Sequence, residues 1–138
     1  MNKVKFDSEV MKVIAAFQGI ARVDVKDCIV EPEKIVFIVG ENQGSRAVGK
    51  QGIYAKQMEK AFNRKIKIVE FNSDVLEFAK NLIYPLKAKE VTEKEGIVTI
   101  TPPDLQTRGY LIGRSATTLR SFERLIKRHF PITELKVI

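Results

Sequence analysis

The stretch RAVGKQG places two glycines, Gly49 and Gly52, around Lys50 and Gln51, and a helix-like run follows at once. Glycine lacks a Cβ, so a turn with glycine at both ends allows another backbone to approach its main chain closely. The N–H groups at the start of the following helix attract anions, and Lys50 adds a positive charge at the tip of the turn. These residue types at this spacing suit the binding of a phosphate group.

A nucleotide-binding P-loop is one interpretation of this stretch. Residues 44–51 come within one residue of the pattern G-x-x-x-x-G-K-[ST] and lie between a predicted strand and a predicted helix. However, Gln51 stands where a hydroxyl should bind magnesium, and a P-loop domain needs a larger parallel sheet than the surrounding segment can form. A P-loop hydrolase is therefore the less favoured alternative, and a plain helix–helix turn without a ligand is another.

The elements that position this turn occur twice, with about 65 residues in each copy. The first helix of each copy is predicted from residues 7–20 and 72–84. Both segments open on a good N-cap residue, Asp7 or Asn72, and carry an acid in the first turn, where the helix dipole favours it. Apolar residues then recur at helical spacing in both segments.

Strands and a second helical region complete each copy. Residues 29–39 and 91–101 each contain two runs of β-branched residues around a tight turn. After the small-residue turn and its amphipathic helix, residues 65–71 and 132–138 each close a copy as a strand. The order helix–strand–strand–turn–helix–strand therefore predicts an α+β fold of two modules.

The two modules are expected to span residues 1–71 and 72–138. No Gly- or Ser-rich linker separates them, because Phe71-Asn72-Ser73 leads directly from a strand into a helix cap. Short connections usually join elements that are adjacent in space, so we expect the modules to pack as one rigid body. Modules this small are marginally stable alone, and a shared interface would stabilise both.

The second copy carries the turn Gly113-Arg114-Ser115-Ala116, in which alanine replaces the last glycine. Alanine fits there if its backbone is helical, whereas a left-handed or very close backbone would weaken this turn. Basic residues are in excess around both turns, which favours a track for phosphates. These residues are Arg46, Lys56, Lys60, Arg64, Lys65 and Lys67 in the first copy, and Arg108, Arg114, Arg120, Arg124, Lys127 and Arg128 in the second.

The composition excludes several classes of function. The 138 residues are 44% hydrophobic and 30% charged, which suits a folded domain rather than a disordered tail. The net charge of +7 indicates a polyanionic partner. No apolar run approaches the roughly 18 residues of a membrane span, so we expect a cytoplasmic protein without membrane contact.

The residues that catalysis or metal binding would need are scarce. Cys28 and His129 are the single cysteine and the single histidine. An internal disulfide, a cysteine zinc cluster or a serine–histidine triad therefore has little to build on, and Cys28 is expected to be a small strand residue. We predict that the protein is not an enzyme and has no catalytic residues, no metal and no cofactor.

The order α-β-β-α-α-β, with GKQG between the two central helices, resembles the type II K-homology (KH) fold, in which a three-stranded mixed sheet packs on helices. Two such modules in tandem resemble the short archaeal form of the NusA family of transcription factors. The resemblance covers essentially the whole chain and rests on KIVFIVG, on RAVGKQG followed by KIKIVEF, and on YLIGRSATTLRSFERLIKR. It implies binding of single-stranded RNA in transcription elongation and termination, with RNA polymerase or other transcription factors as partners. An RNA-processing or ribosome-assembly protein with the same modules is the alternative.

A KH module clamps about four nucleotides of a single strand at its GxxG loop. Val48 and Ile53 would form one wall of a narrow groove for the bases, and Tyr54 and Tyr110 would either stack on bases or pack in the fold. The predicted RNA-binding residues of the first module are Arg46, Val48, Gly49, Lys50, Gln51, Gly52, Ile53, Lys56 and Lys60. Those of the second module are Gly113, Arg114, Ser115, Ala116 and Arg120.

Overall fold

The computed structural model describes residues 7–138, which divide into two compact units, residues 7–72 and residues 73–138. The first unit consists of α1 (Ser8–Ala21), β1 (Val25–Val30), β2 (Lys34–Val39), α2 (Gly44–Val48), α3 (Ile53–Phe62) and β3 (Lys65–Glu70). The second unit consists of α4 (Val75–Ile83), β4 (Glu90–Lys94), β5 (Ile97–Thr101), α5 (Leu105–Ile112), α6 (Thr117–His129) and β6 (Glu134–Val137). Within the described residues, no helix is both long and apolar enough to cross a membrane.

Each unit contains a three-stranded mixed sheet. In the first unit β1 runs antiparallel to β2, and β2 runs parallel to β3. The second unit repeats this pattern with β4, β5 and β6. A parallel pair needs a crossover connection, which the two helices before the last strand of each unit provide. The order α-β-β-α-α-β thus occurs twice, which confirms the predicted fold class of two tandem type II KH modules.

Tight turns set the register of both antiparallel pairs, as the sequence predicted. In the first unit the N–H of Glu31 donates to the carbonyl of Lys34 at 2.8 Å, around Pro32. Proline at this position suits the turn because its φ is already fixed near the required value. In the second unit, β4 and β5 are joined by Glu95-Gly96, both at positive φ, which matches the twist of the strands.

Aspartate side chains cap α1 and α5, and the cap of α1 is the one that the sequence predicted. Asp7 Oδ1 accepts the N–H of Val10 at 2.8 Å at the start of α1. Asp104 Oδ1 accepts the N–H of Thr107 at 2.7 Å at the start of α5. Hydrogen bonds from the backbone and then the side chain of Thr107 hold the pKa of Asp104 below its ordinary value, because they favour the ionised carboxylate.

The prediction that Asn72 caps the first helix of the second unit is wrong. The helix α4 begins at Val75, and its cap is Asp74, whose Oδ1 accepts the N–H of Leu76 at 2.9 Å. An ionised carboxylate is a stronger acceptor than a neutral amide and interacts more favourably with the helix dipole. The acid in the first turn is consequently Glu77.

Buried side chains hold the helices against the sheet of each unit. In the first unit the Phe17 ring stacks on the Phe37 ring with centroids 4.2 Å apart, and Met58 of α3 belongs to the same buried cluster. In the second unit Phe78 is fully buried, and its ring centroid lies 5.4 Å from that of Phe130. These contacts fix the helices on which the GxxG-type turns depend.

Candidate nucleic-acid interface

Each unit has a four-residue loop between the two helices that precede its last strand. We call residues 49–52 the first loop and residues 113–116 the second loop. The opening glycine has φ 80° and ψ 170° at Gly49, and φ 73° and ψ 179° at Gly113. The third and fourth residues of both loops are left-handed, with φ between 53° and 74°. The two loops therefore share one backbone conformation although their sequences are GKQG and GRSA.

The opening glycine is required for two separate reasons. Its φ and ψ fall in a region that residues with a side chain essentially do not occupy. The space is also closed, because a Cβ on Gly49 would lie 2.6 Å from Cδ2 of Tyr54. In the second loop a Cβ on Gly113 would lie 2.8 Å from the Cβ of Thr118. The side chain of the second residue after each loop, Tyr54 or Thr118, therefore packs directly against the first residue of the loop.

The fourth position of the loop is open but left-handed. A Cβ on Gly52 would meet only the Cε of Lys56, at an ordinary contact distance of 3.8 Å. Ala116 has φ 61° and ψ 21°, so its backbone is left-handed. It does not adopt the right-handed helical backbone in which alanine fits without strain. The left-handed conformation costs an L-residue about 1–2 kcal/mol. Alanine nevertheless keeps the loop closed, because its N–H donates to the carbonyl of Gly113 at 3.3 Å.

The helices that follow the loops begin differently from the others. Neither α3 nor α6 has a side-chain cap or an acid in its first turn. By contrast, aspartates cap α1, α4 and α5, and Glu70 Oε1 accepts the first N–H of α2, from Gly44, at 3.0 Å. The positive end of the helix dipole thus carries no carboxylate at either loop and can attract an anion, although the first N–H of each helix donates to a loop carbonyl, of Lys50 or Arg114.

Exposed cations lie on the first loop and the helices beside it. Lys50 is at the tip, Arg46 is on α2, and Lys56 and Lys60 are on α3, all exposed to solvent. Within residues 7–138, neither Lys56 nor Lys60 forms an ion pair. In the second loop Arg114 is exposed at the position that matches Lys50. Both loops therefore present a positive charge beside an open helix start.

Arg120, the residue of α6 that matches Lys56, is held by a carboxylate. Its Nη1 lies 3.4 Å from both oxygens of Glu123. Glu123 is buried, accepts the N–H of Leu135 in β6 at 3.0 Å, and lies 3.8 Å from the Nζ of Lys127. Glu59 stands at the matching position of α3 but is exposed and forms no ion pair within residues 7–138, so the two helices differ in how their basic side chains are held.

Three of the basic residues expected around the first loop lie elsewhere. The ten residues of α3 separate the loop from Arg64 and Lys65 by about 15 Å, and Arg64 pairs with Glu9 at 3.5 Å. Lys67 lies in β3 between residues that pack against the helices, so it is on the other face of the sheet. Burial and then the charge of Lys34 lower the pKa of Lys67 to about 8. The prediction that Arg64, Lys65 and Lys67 surround the first loop is therefore wrong.

The predicted apolar wall differs between the two loops. Val48 and Ile53 flank the first loop and are 37% and 47% exposed. At the matching positions of the second loop, Ile112 is half-buried and Thr117 takes the place of isoleucine. The Thr117 hydroxyl donates to the carbonyl of Arg114. An exposed pair of apolar side chains is therefore a feature of the first loop alone.

The two tyrosines considered for base stacking have different environments. Tyr54 is half-buried, packs against the core of the first unit and supports Gly49 from below. Its role is to position the loop. Tyr110 is 58% exposed on α5. Sequence spacing did not separate these roles, because both residues simply flank a loop.

The P-loop interpretation does not agree with the structure. A P-loop joins a strand to a helix, whereas residues 44–48 form α2 and the first loop joins two helices. The sheet around it has only three strands and is mixed. Among residues 7–138, no group of three or more His, Cys, Asp or Glu side chains could hold a metal ion.

Comparison with known proteins gives several full-length matches, although no protein-family model matches the chain. The chain is 31% identical over 141 residues to the probable transcription termination protein NusA of Methanocaldococcus jannaschii, covering all of this chain and 77% of that protein. Identity to the proteins of the same name is 25% over 143 residues in Thermoplasma acidophilum and 28% over 138 residues in Halococcus morrhuae. Those two matches cover 99% and 98% of this chain, and 97% and 99% of the relatives. The crystal structure of APE1850 matches with a TM-score of 0.75 and 25% identity, covering 96% of this chain and all of that one.

The repeated order of elements, the two mixed sheets and the two loops define a protein of tandem type II KH modules. The match to the Methanocaldococcus protein extends over this whole chain and over most of that relative. The chain belongs to the NusA family.

Proposed function

We propose that the protein binds single-stranded RNA and acts in transcription elongation and termination. The observation that carries this proposal is the pair of loops with one backbone conformation, each followed by a helix whose first turn is uncapped. A phosphate at such a place receives backbone N–H groups together with the charge of Lys50 or Arg114. The relatives, which are named as transcription termination proteins, support the biological setting.

A single strand suits the first loop better than a duplex does. Val48 and Ile53 expose apolar surface beside the positively charged tip. Bases that are splayed from a single strand can lie against such a wall, whereas pairing hides them in a duplex. In this setting the strand is a nascent transcript, with RNA polymerase or other transcription factors nearby.

Charge reversal at the first loop tests the proposed site. The double substitution Lys50→Asp with Gln51→Asp places two carboxylates where the phosphate is expected, so attraction becomes repulsion. Affinity for a single-stranded RNA of roughly 12 nucleotides, three times the span of one KH loop, should fall at least about tenfold. Both side chains are exposed, so the melting curve followed by circular dichroism should stay close to that of the wild type.

A matched control separates the site from net charge. Lys12→Asp with Gln18→Asp makes the same change of charge on the exposed surface of α1 and should leave affinity within about twofold. The equivalent loop variant, Arg114→Asp with Ser115→Asp, should lose less affinity than the first-loop variant, since the second loop lacks the exposed apolar pair Val48 and Ile53 and Arg120 is held by Glu123. Normal binding by the first-loop variant, or equal loss in the α1 control, would contradict the proposed site.

The role in transcription needs its own measurement. In a reconstituted transcription reaction, the wild-type protein should change the fraction of transcripts released at a terminator, and the first-loop variant should have lost this effect. An RNA-binding protein that leaves release unchanged would point instead to RNA processing or ribosome assembly.

A further inference from the structure

Tyr110 is an exposed aromatic side chain on the helix that leads into the second loop. It precedes Gly113 by three residues and so lies in the last turn of α5, next to the second loop. The N–H of Gly113 caps the end of α5 by donating to the carbonyl of Gly109 at 2.9 Å, and the chain then turns into the loop at Gly113. One turn earlier, Nε2 of Gln106 lies 3.4 Å from the Tyr110 hydroxyl and holds the polar edge of the ring.

Other residues of α5 near Tyr110 in the chain are also exposed or without a side chain. Gly109 has no side chain, and a Cβ built there would meet no atom within 4 Å. Leu105, one turn further back, is 85% exposed. Arg108 and Arg114 are both exposed on the same stretch of chain. An exposed ring on the helix that leads to Arg114 offers an apolar face for a base and, further along the chain, a cation for a phosphate.

Comparison with the first unit indicates why this ring would be needed. The residue that matches Tyr110 is Arg46, and the first loop has its own exposed apolar wall in Val48 and Ile53. The second loop lacks that wall, because Thr117 replaces the isoleucine and its hydroxyl is engaged by a carbonyl within the loop. The exposed apolar side chain is therefore Ile53, after the loop, in the first unit, and Tyr110, one turn before the loop, in the second.

We propose that Tyr110 is a stacking platform for an unpaired base of the strand held by the second loop. The inference rests on the proposed RNA binding and adds a residue to it. Stacking on an aromatic face tolerates any base, so this contact would support affinity without selecting sequence. A stacked base also fixes the strand relative to Arg114, whose contact with phosphate carries no sequence information.

Tyrosine fluorescence gives a direct test, because the chain has no tryptophan and three tyrosines. In the double variant Tyr54→Phe with Tyr84→Phe, Tyr110 is the single tyrosine that emits. Saturation with a single-stranded RNA of roughly 12 nucleotides should quench this emission strongly, since a stacked base is an efficient contact quencher. Emission that stays unchanged at saturation would overturn the proposal.

Affinity measurements supply a second test. Tyr110→Ala should weaken binding of the same RNA about tenfold, while Tyr110→Phe, which keeps the ring, should bind like the wild type. Tyr84→Ala is the matched control, because Tyr84 belongs to the same unit and is 69% exposed but lies outside the loop region. If the wild type binds RNA and Tyr110→Ala binds equally well, the stacking role is wrong and RNA binding stands. If the wild type does not bind RNA, both proposals are wrong.

Discussion

The first and second loops share one backbone conformation but contact different side chains. Tyr54 supports the opening glycine of the first loop, whereas Thr118 does so in the second. Isoleucine follows the first loop, whereas Thr117 follows the second and bonds back to its carbonyl. One opening glycine and one N–H to C=O bond across the loop are common to both. The comparison teaches that the two proposed phosphate sites share their backbone conformation, while the side chains around them differ.

The same comparison explains why a GxxG pattern can lose its last glycine. At the opening position both the backbone angles and the available space demand glycine. At the last position the space is open, and only the left-handed angles disfavour a side chain. Alanine is therefore tolerated at one end of the loop and would not be tolerated at the other.

The largest effect in the following predictions is expected from Gly49→Ala. The new Cβ would adopt disfavoured angles and collide with Tyr54, so the free energy of unfolding should fall by about 3 kcal/mol. RNA affinity should fall as well, because the loop must move. Urea denaturation followed by circular dichroism measures the first effect, and titration with labelled RNA measures the second.

Gly19→Ala is the control for this variant. Gly19 lies inside α1, and a Cβ there meets no atom within 4 Å, so the substitution should stabilise the protein by about 0.5–1 kcal/mol. A similar loss of stability in both variants would mean that the opening position of the loop is not special.

A smaller effect is expected when the last loop residues are exchanged. Gly52→Ala should lower the free energy of unfolding by about 1 kcal/mol and keep RNA affinity within about threefold, because alanine already occupies this place in the second loop. Ala116→Gly should stabilise the second unit by a similar or smaller amount. A severe loss of binding in Gly52→Ala would show that the strand approaches the first loop more closely than the second.

The smallest effect is expected from Lys67→Met, which compares the last strands of the two units. Below pH 8 the folded protein holds a charge on Lys67 that burial and Lys34 disfavour, so the variant should be more stable by up to about 1 kcal/mol at pH 7. Between pH 8 and the unfolded pKa of about 10.5, the unfolded chain keeps a proton that the folded protein has released. Wild-type stability from this group therefore rises with pH, and the advantage of the variant should shrink.

Lys136→Met tests whether this effect belongs to the buried position. Lys136 in β6 pairs with Thr99 of the neighbouring strand, as Lys67 in β3 pairs with Val36. Unlike Lys67, Lys136 is exposed. Its variant should follow the wild-type dependence of stability on pH. A Lys67→Met advantage that stays constant from pH 7 to about 10.5 would contradict the assignment.

Local patterns in the sequence were sufficient for the first helix, the three strands, the loop and the helix after it in each unit, whereas the short helices α2 and α5 were expected only from the resemblance to the KH fold. Hydrophobic periodicity, β-branched runs and glycine spacing are all properties of neighbouring residues, and they determine which segments become helices, strands and turns. The cap at Asp7 followed from the same local chemistry. At Asn72 the match to the first copy was misleading, because the stronger acceptor Asp74 stands two residues later.

Properties that depend on packing could not be read in this way. The placement of Lys65 and Lys67 away from the first loop follows from the length of α3 and from the face of β3 on which each residue lies. The different environments of Tyr54, which packs against the core, and Tyr110, which is exposed, follow from the tertiary structure of each unit. The left-handed backbone of Ala116 is imposed by the loop and is not indicated by the residue type.

The carboxylates at the helix starts have a consequence for how a strand would settle on this surface. Of the six helices in residues 7–138, four begin at an acidic oxygen, contributed by Asp7, Glu70, Asp74 and Asp104. A phosphate that approaches this protein of net charge +7 is repelled at those four helix starts. At the starts of α3 and α6 it meets no carboxylate. For the proposed RNA binding, the acids at the helix starts therefore restrict favourable phosphate contacts to the two helices that follow the loops.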